Sequence, residues 1–89
     1  MPKQDITVSN RLGLHARAAA KLVQRVQGFD AEVWLCAKDR EVNAKSIMGV
    51  MMLAASLGSS LTVRTEGQQA EAALAAVIDL FQNKFNESE

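Results

Sequence analysis

The sequence predicts a two-layer α+β sandwich in which helices cover one face of a sheet. Four short stretches alternate apolar and polar residues, the period of a half-buried strand. Three others repeat apolar residues at helical spacing, and the segments follow one another as βαββαβα. Alternating strands bury one face only, so all the helices must share that face.

The first strand is marked by Ile6 and Val8 among Asp5, Thr7 and Ser9. Asn10, Arg11 and Gly13 then form a loop. Ala19, Leu22, Val23 and Val26 place an apolar stripe on a first helix, and Gly28 stops it. Val33, Leu35 and Ala37 mark a second strand and Val42, between Glu41 and Asn43, a third. Lys38-Asp39 between them suits a tight hairpin turn, although it lacks the usual glycine. Ser46 is a good N-cap for a short second helix, whose core face is supplied by Val50, Leu53 and Ala54. Leu57-Gly58-Ser59 breaks that helix. Leu61 and Val63 mark the last strand, and Glu66-Gly67 turns the chain. Ala70, Ala73, Leu74, Val77 and Phe81 mark a long terminal helix, with Glu71 near its start and Lys84 near its end. The tail from Asn86 to Glu89 is expected to fray.

The 89 residues suit one domain with one modest core, and 48% apolar content favours folding over disorder. A single cysteine, Cys36, forms no internal disulfide and suits a reducing compartment, where its plainest role is that of a small buried hydrophobe. The N-terminus carries no basic-then-apolar leader, and the most apolar run, Val50 to Ala55, is far too short to span a bilayer. A soluble cytoplasmic domain with no membrane role is expected. Formal charge is zero overall but uneven. Eight basic and five acidic residues up to Lys45 give +3, and the remainder gives −3. That balance argues against a nucleic-acid binder, yet it permits a local basic patch.

His15 is the only histidine, and it stands where the first strand and loop give way to the first helix. Such a helix start offers free backbone N–H groups and suits an anion. Alone, a histidine there reads as a cap or a solvated side chain. Its neighbours add weight, because Arg17, Lys21 and Arg25, four residues apart, share one face of the helix as a cationic ridge. A neutral imidazole is a nucleophile that can take and carry a phosphoryl group. The amides of Ala16 and Arg17 and the Arg17 guanidinium could then hold the phosphoryl oxygens. No second catalytic group, metal-ligand set or nucleotide loop accompanies it, which suggests a carrier needing no cofactor rather than a complete enzyme. In the short second helix, Ile47, Met48 and Met51 lie off the core face and form a soft surface suited to several partners. Ser46 at its start is also well placed for phosphorylation, because the helix dipole would favour the added charge.

Gly13-Leu14-His15-Ala16-Arg17 and Lys45-Ser46-Ile47-Met48-Gly49, in this order and spacing, resemble the histidine-containing phosphocarrier (HPr) family of the bacterial phosphoenolpyruvate phosphotransferase system. The likeness covers nearly the whole chain. It implies a four-stranded antiparallel sheet in order 1-4-2-3 with three helices on one face. It implies that His15 accepts a phosphoryl group on Nδ1 from enzyme I and passes it to enzyme IIA acceptors, with Arg17 steadying the phosphate. It further implies that HPr kinase/phosphorylase modifies Ser46, and that Ala20, Lys21, Ile47, Met48 and Met51 form the docking surface of a monomer. A nitrogen-branch member (NPr) with the same His15 chemistry is an alternative, as is an interaction module that is never phosphorylated. One departure is Ala18, where the family usually has proline. Alanine keeps a backbone N–H and is an excellent helix former.

Overall fold

The computed structural model describes residues 2–86 and bears out the expected order of elements. The strands are β1 (Lys3–Thr7), β2 (Glu32–Ala37), β3 (Arg40–Asn43) and β4 (Ser60–Glu66), and the helices α1 (Ala16–Gln27), α2 (Ile47–Met52) and α3 (Ala70–Gln82). All pairings are antiparallel, in the order β1-β4-β2-β3. The register puts Val33, Leu35, Leu61 and Val63 on one face, all 3% exposed or less. Leu22 and Val26 of α1, Val50 of α2 and Val77 of α3 meet them there, so the helices do share one face. Glu32, Trp34, Cys36, Thr62 and Arg64 alternate with the inward residues and form the uncovered face.

Local chemistry accounts for the boundaries. Val8 lies one residue beyond β1 yet is buried, and its N–H donates to the Ser59 carbonyl at 2.9 Å. Gly28 ends α1 in ordinary right-handed backbone, its N–H turned back to the last carbonyls. Lys38 and Asp39 turn the β2–β3 hairpin without positive φ, which explains why no glycine is needed.

Two details differ from expectation. The second helix ends at Met52, well before Leu57, because Ala54 turns left-handed at φ 52°. Ala54 is therefore exposed, and Ala55 takes the core position beside Val50 and half-buried Leu53. A left-handed alanine costs about 1 kcal/mol that glycine would not. Ala54→Gly is expected to raise stability by roughly 0.5–1 kcal/mol, read as a higher denaturant midpoint at an unchanged slope. A lower midpoint would show that the side chain outweighs the backbone strain.

The chain end is the second difference. The terminal helix stops at Gln82, and Lys84 falls in a separate turn, Lys84–Asn86, whose three residues all have left-handed backbone. Phe85 is carried by that turn into the core, fully buried and edge-on to Phe81 at 4.8 Å between ring centres. Burying a phenylalanine is worth about 2–3 kcal/mol, which offsets a large part of the cost of a turn that the backbone alone disfavours. Asn86 belongs to this turn, and the rest of the tail expected to fray lies outside the described residues.

Candidate functional site

His15 is the N-cap of α1. Its backbone is extended, at φ −78° and ψ 179°, and its carbonyl accepts the Ala19 N–H at 2.9 Å. Its Nδ1 accepts the Arg17 N–H at 3.3 Å. The capping role of the histidine is thus carried by Nδ1. A ring nitrogen that accepts is the one without the proton, so the Nδ1 lone pair faces the helix start.

The loop before His15 is held on both sides. The Asn10 side chain donates to the Gly13 carbonyl at 2.7 Å, and the Gly13 N–H donates back to the Asn10 carbonyl. Leu14 is buried, and its N–H donates to the Ala55 carbonyl at 2.9 Å. Gly13 has φ +68°, and a Cβ there would stand 2.4 Å from the Ala55 carbonyl oxygen. Glycine is needed at this point for both reasons. The segment after α2 therefore forms the bed on which the histidine loop rests.

The cationic ridge is more divided than its spacing suggests. Arg17 is exposed beside His15. Lys21 is half-buried and donates through Nζ to the Phe85 carbonyl, and Arg25 pairs with Asp79 at 3.6 Å. Both are turned toward α3 and the chain end, contacts that helical spacing on α1 does not reveal. Arg17 is thus the member of the ridge that remains at the histidine. A donor preorganised in a dry site commands roughly a hundredfold or more in rate, and water around Arg17 lowers that. Arg17→Ala is expected to slow phosphoryl acceptance roughly tenfold to a hundredfold without abolishing it, because the backbone amides stay. An unchanged rate would leave Arg17 as a solvated surface charge.

Ser46 caps α2, its Oγ accepting the Gly49 N–H at 3.0 Å, and is exposed. Ile47, Met48 and Met51 are 43%, 70% and 39% exposed, as expected of residues off the core face. The short helix packs against α1, on which Ala20 and Lys21 are half-buried. Leu12, Met52 and Leu57 are exposed as well. Sequence reasoning missed these three, although all flank the two motifs and lie in loops or at a helix end, where apolar residues lack an obvious core role.

On the uncovered sheet face, Arg64 donates to Glu41 at 2.8 Å and lies 4.2 Å over the Trp34 ring. The Cys36 thiol donates to the same carboxylate at 3.1 Å. Cys36 is therefore not a plain buried hydrophobe but half-buried and hydrogen-bonded. Burial, then the Glu41 contact, pushes its thiol upward from the ordinary value, so it stays protonated and unreactive near neutral pH. The Arg64 and Cys36 hydrogen bonds hold Glu41 below the usual carboxylate range. This link is present above that range and is lost as pH falls through the lowered value. Among the described residues no acidic, histidine and cysteine group could hold a metal, and no helix is long and apolar enough to cross a membrane.

A one-sided four-stranded sheet with a lone imidazole capping the first helix is the architecture of small phosphocarrier proteins. The solved HPr-C-His from Thermoanaerobacter tengcongensis matches over the full length of both chains, with a TM-score of 0.95 and 40% identity. The HPr dimer from the same organism matches over 98% of this chain and 100% of that one, at 0.78 and 41%. The phosphocarrier protein HPr of Xylella fastidiosa (strain Temecula1) is 54% identical over 87 residues, 98% of each chain. The family model for the PTS HPr component phosphorylation site matches residues 2–83. The chain belongs to the HPr family of phosphocarriers of the phosphotransferase system.

Proposed function

We propose that this protein takes a phosphoryl group onto Nδ1 of His15 from phospho-enzyme I and hands it to enzyme IIA acceptors. The observation that carries this reading is the Nδ1 lone pair turned to the amides at the start of α1. The nitrogen attacks phosphorus, and the bond to the donor breaks as the N–P bond forms. The new phosphoryl oxygens accept from the Ala16 and Arg17 amides and from the Arg17 guanidinium, with the helix dipole favouring their charge. The protein turns over no substrate of its own and works in the cytoplasm as a monomer. Ala20, Lys21, Ile47, Met48 and Met51 receive its partners, and the additional exposure of Leu12, Met52 and Leu57 widens that surface. Incubation with enzyme I and phosphoenolpyruvate tests the reading. Acid-labile, base-stable phosphate on His15 is expected, and absence of label would leave an interaction module in its place.

Ser46 is the regulatory site, modified by HPr kinase/phosphorylase. Its exposed hydroxyl and its place at a helix start support this, because a phosphate there replaces one acceptor of the Gly49 amide by another. The added charge acts as an electrostatic brake on docking to an acidic face of enzyme I. The same motif favours the sugar branch over the nitrogen branch. Ser46→Asp is expected to lower kcat/KM for enzyme I about tenfold at low salt, the scale of one adverse charge at an interface rim. The gap should narrow as salt rises. A gap that salt leaves untouched would mean that α2 has changed shape instead, and no gap at all would remove the brake.

A further inference from the structure

We infer that the backbone N–H of Ala18 is a third amide donor to the phosphoryl group carried on His15. The inference rests on the reading of His15 as the phosphoryl acceptor. Ala16, Arg17 and Ala18 are the first three residues of α1, so their amides have no acceptor within the helix and point toward the cap. The Arg17 amide is taken by His15 Nδ1. The Ala18 amide makes no hydrogen bond among the described residues, yet Ala18 is 0% exposed. A buried amide lacking both water and a protein partner is costly, and such groups are rare without a reason.

The reason lies in the cap. Oxygen-bearing caps reach the second or third amide of a helix. The imidazole reaches the second, at 3.3 Å, and the third, one residue further along the same turn, is left without that bond. A phosphoryl group on Nδ1 extends three strong acceptors beyond that ring, over the same turn. It therefore satisfies the amide that the unmodified side chain cannot. Proline at this position would have no hydrogen to give. Alanine keeps the donor, and with it a hold on the phosphoryl group that slows loss of that group to water.

The test compares amide proton positions in the isotope-labelled protein before and after phosphorylation by enzyme I and phosphoenolpyruvate. Downfield movement of Ala18 together with Arg17 is expected. Movement of Arg17 with Ala18 unmoved would overturn the inference. No label on His15 would instead remove the phosphocarrier reading and the inference with it. A second arm measures phosphohistidine lifetime in two variants. Ala18→Pro, which the first helical turn tolerates, should shorten it about tenfold, the scale of one charge-assisted hydrogen bond. Ala18→Gly, which keeps the N–H, should leave it near wild type. Equal lifetimes in the proline variant and the wild type would overturn the inference. Should proline disturb the loop, the wild-type shifts still decide.

Discussion

His15→Ala is expected to accept no phosphate from enzyme I while keeping the fold. The imidazole contributes the only nucleophilic nitrogen at the helix start, and no other histidine exists to replace it. Its structural share includes the cap bond to the Arg17 amide at 3.3 Å. Losing a cap costs about 1 kcal/mol, a fraction of the stability of a domain this size. Transfer from phosphoenolpyruvate and thermal unfolding, measured on the same preparation, separate the two effects. Label at the wild-type rate would refute the assignment of His15, and a protein that fails to fold would show that the loop depends on the ring for more than a cap.

Gly13→Ala should be the most damaging small substitution in the chain. Its backbone is left-handed, and its new methyl would meet the Ala55 carbonyl oxygen at 2.4 Å and the Ser56 Cα at 2.9 Å. Both are backbone atoms, so neither can swing aside as a side-chain tip could. Relief requires the histidine loop and the segment after α2 to part, which breaks the Leu14–Ala55 hydrogen bond. The expected loss is roughly 3 kcal/mol or more. Phosphorylation should slow as well, since His15 lies two residues further on. Gly58→Ala is the control: Gly58 has φ +90° but nothing within 4 Å of an added Cβ. It should cost only the backbone part, about 1 kcal/mol. Equal losses in the two variants, read from denaturant midpoints, would show that the close approach at Gly13 relaxes freely.

Much of the architecture was legible because alternation and helical spacing report burial directly. Val33 and Leu35, Leu61 and Val63, and the stripe on α1 all went where their period sends them. The histidine at the helix start was legible too, from its position after a glycine-containing loop. What was hidden depends on contacts between segments far apart in the chain. Nothing near Phe85 announces a left-handed turn, since four residues after Phe81 it fits a continuing helix equally well. Lys21 and Arg25 look like a free ridge until α3 brings the Phe85 carbonyl and Asp79 beside them. Glu41, Cys36, Arg64 and Trp34 come from three strands, and only the register joins them. Ala54 was misplaced because period alone does not show a backbone reversal.

The first strand has one sheet neighbour, and that neighbour comes late: Lys3 lies opposite Arg64 and Thr7 opposite Ser60. Just past the strand, Val8 is tied to Ser59 and Gly58, and Leu14 to Ala55. During synthesis the N-terminal strand must therefore wait until about three quarters of the chain has been made before it can pair. Closing so long a loop is entropically slow and comes late in folding. The histidine loop gets both of its anchors in that same step. A nascent or truncated chain carries the imidazole without the support that aims it, so competence as a carrier arrives together with completion of the sheet.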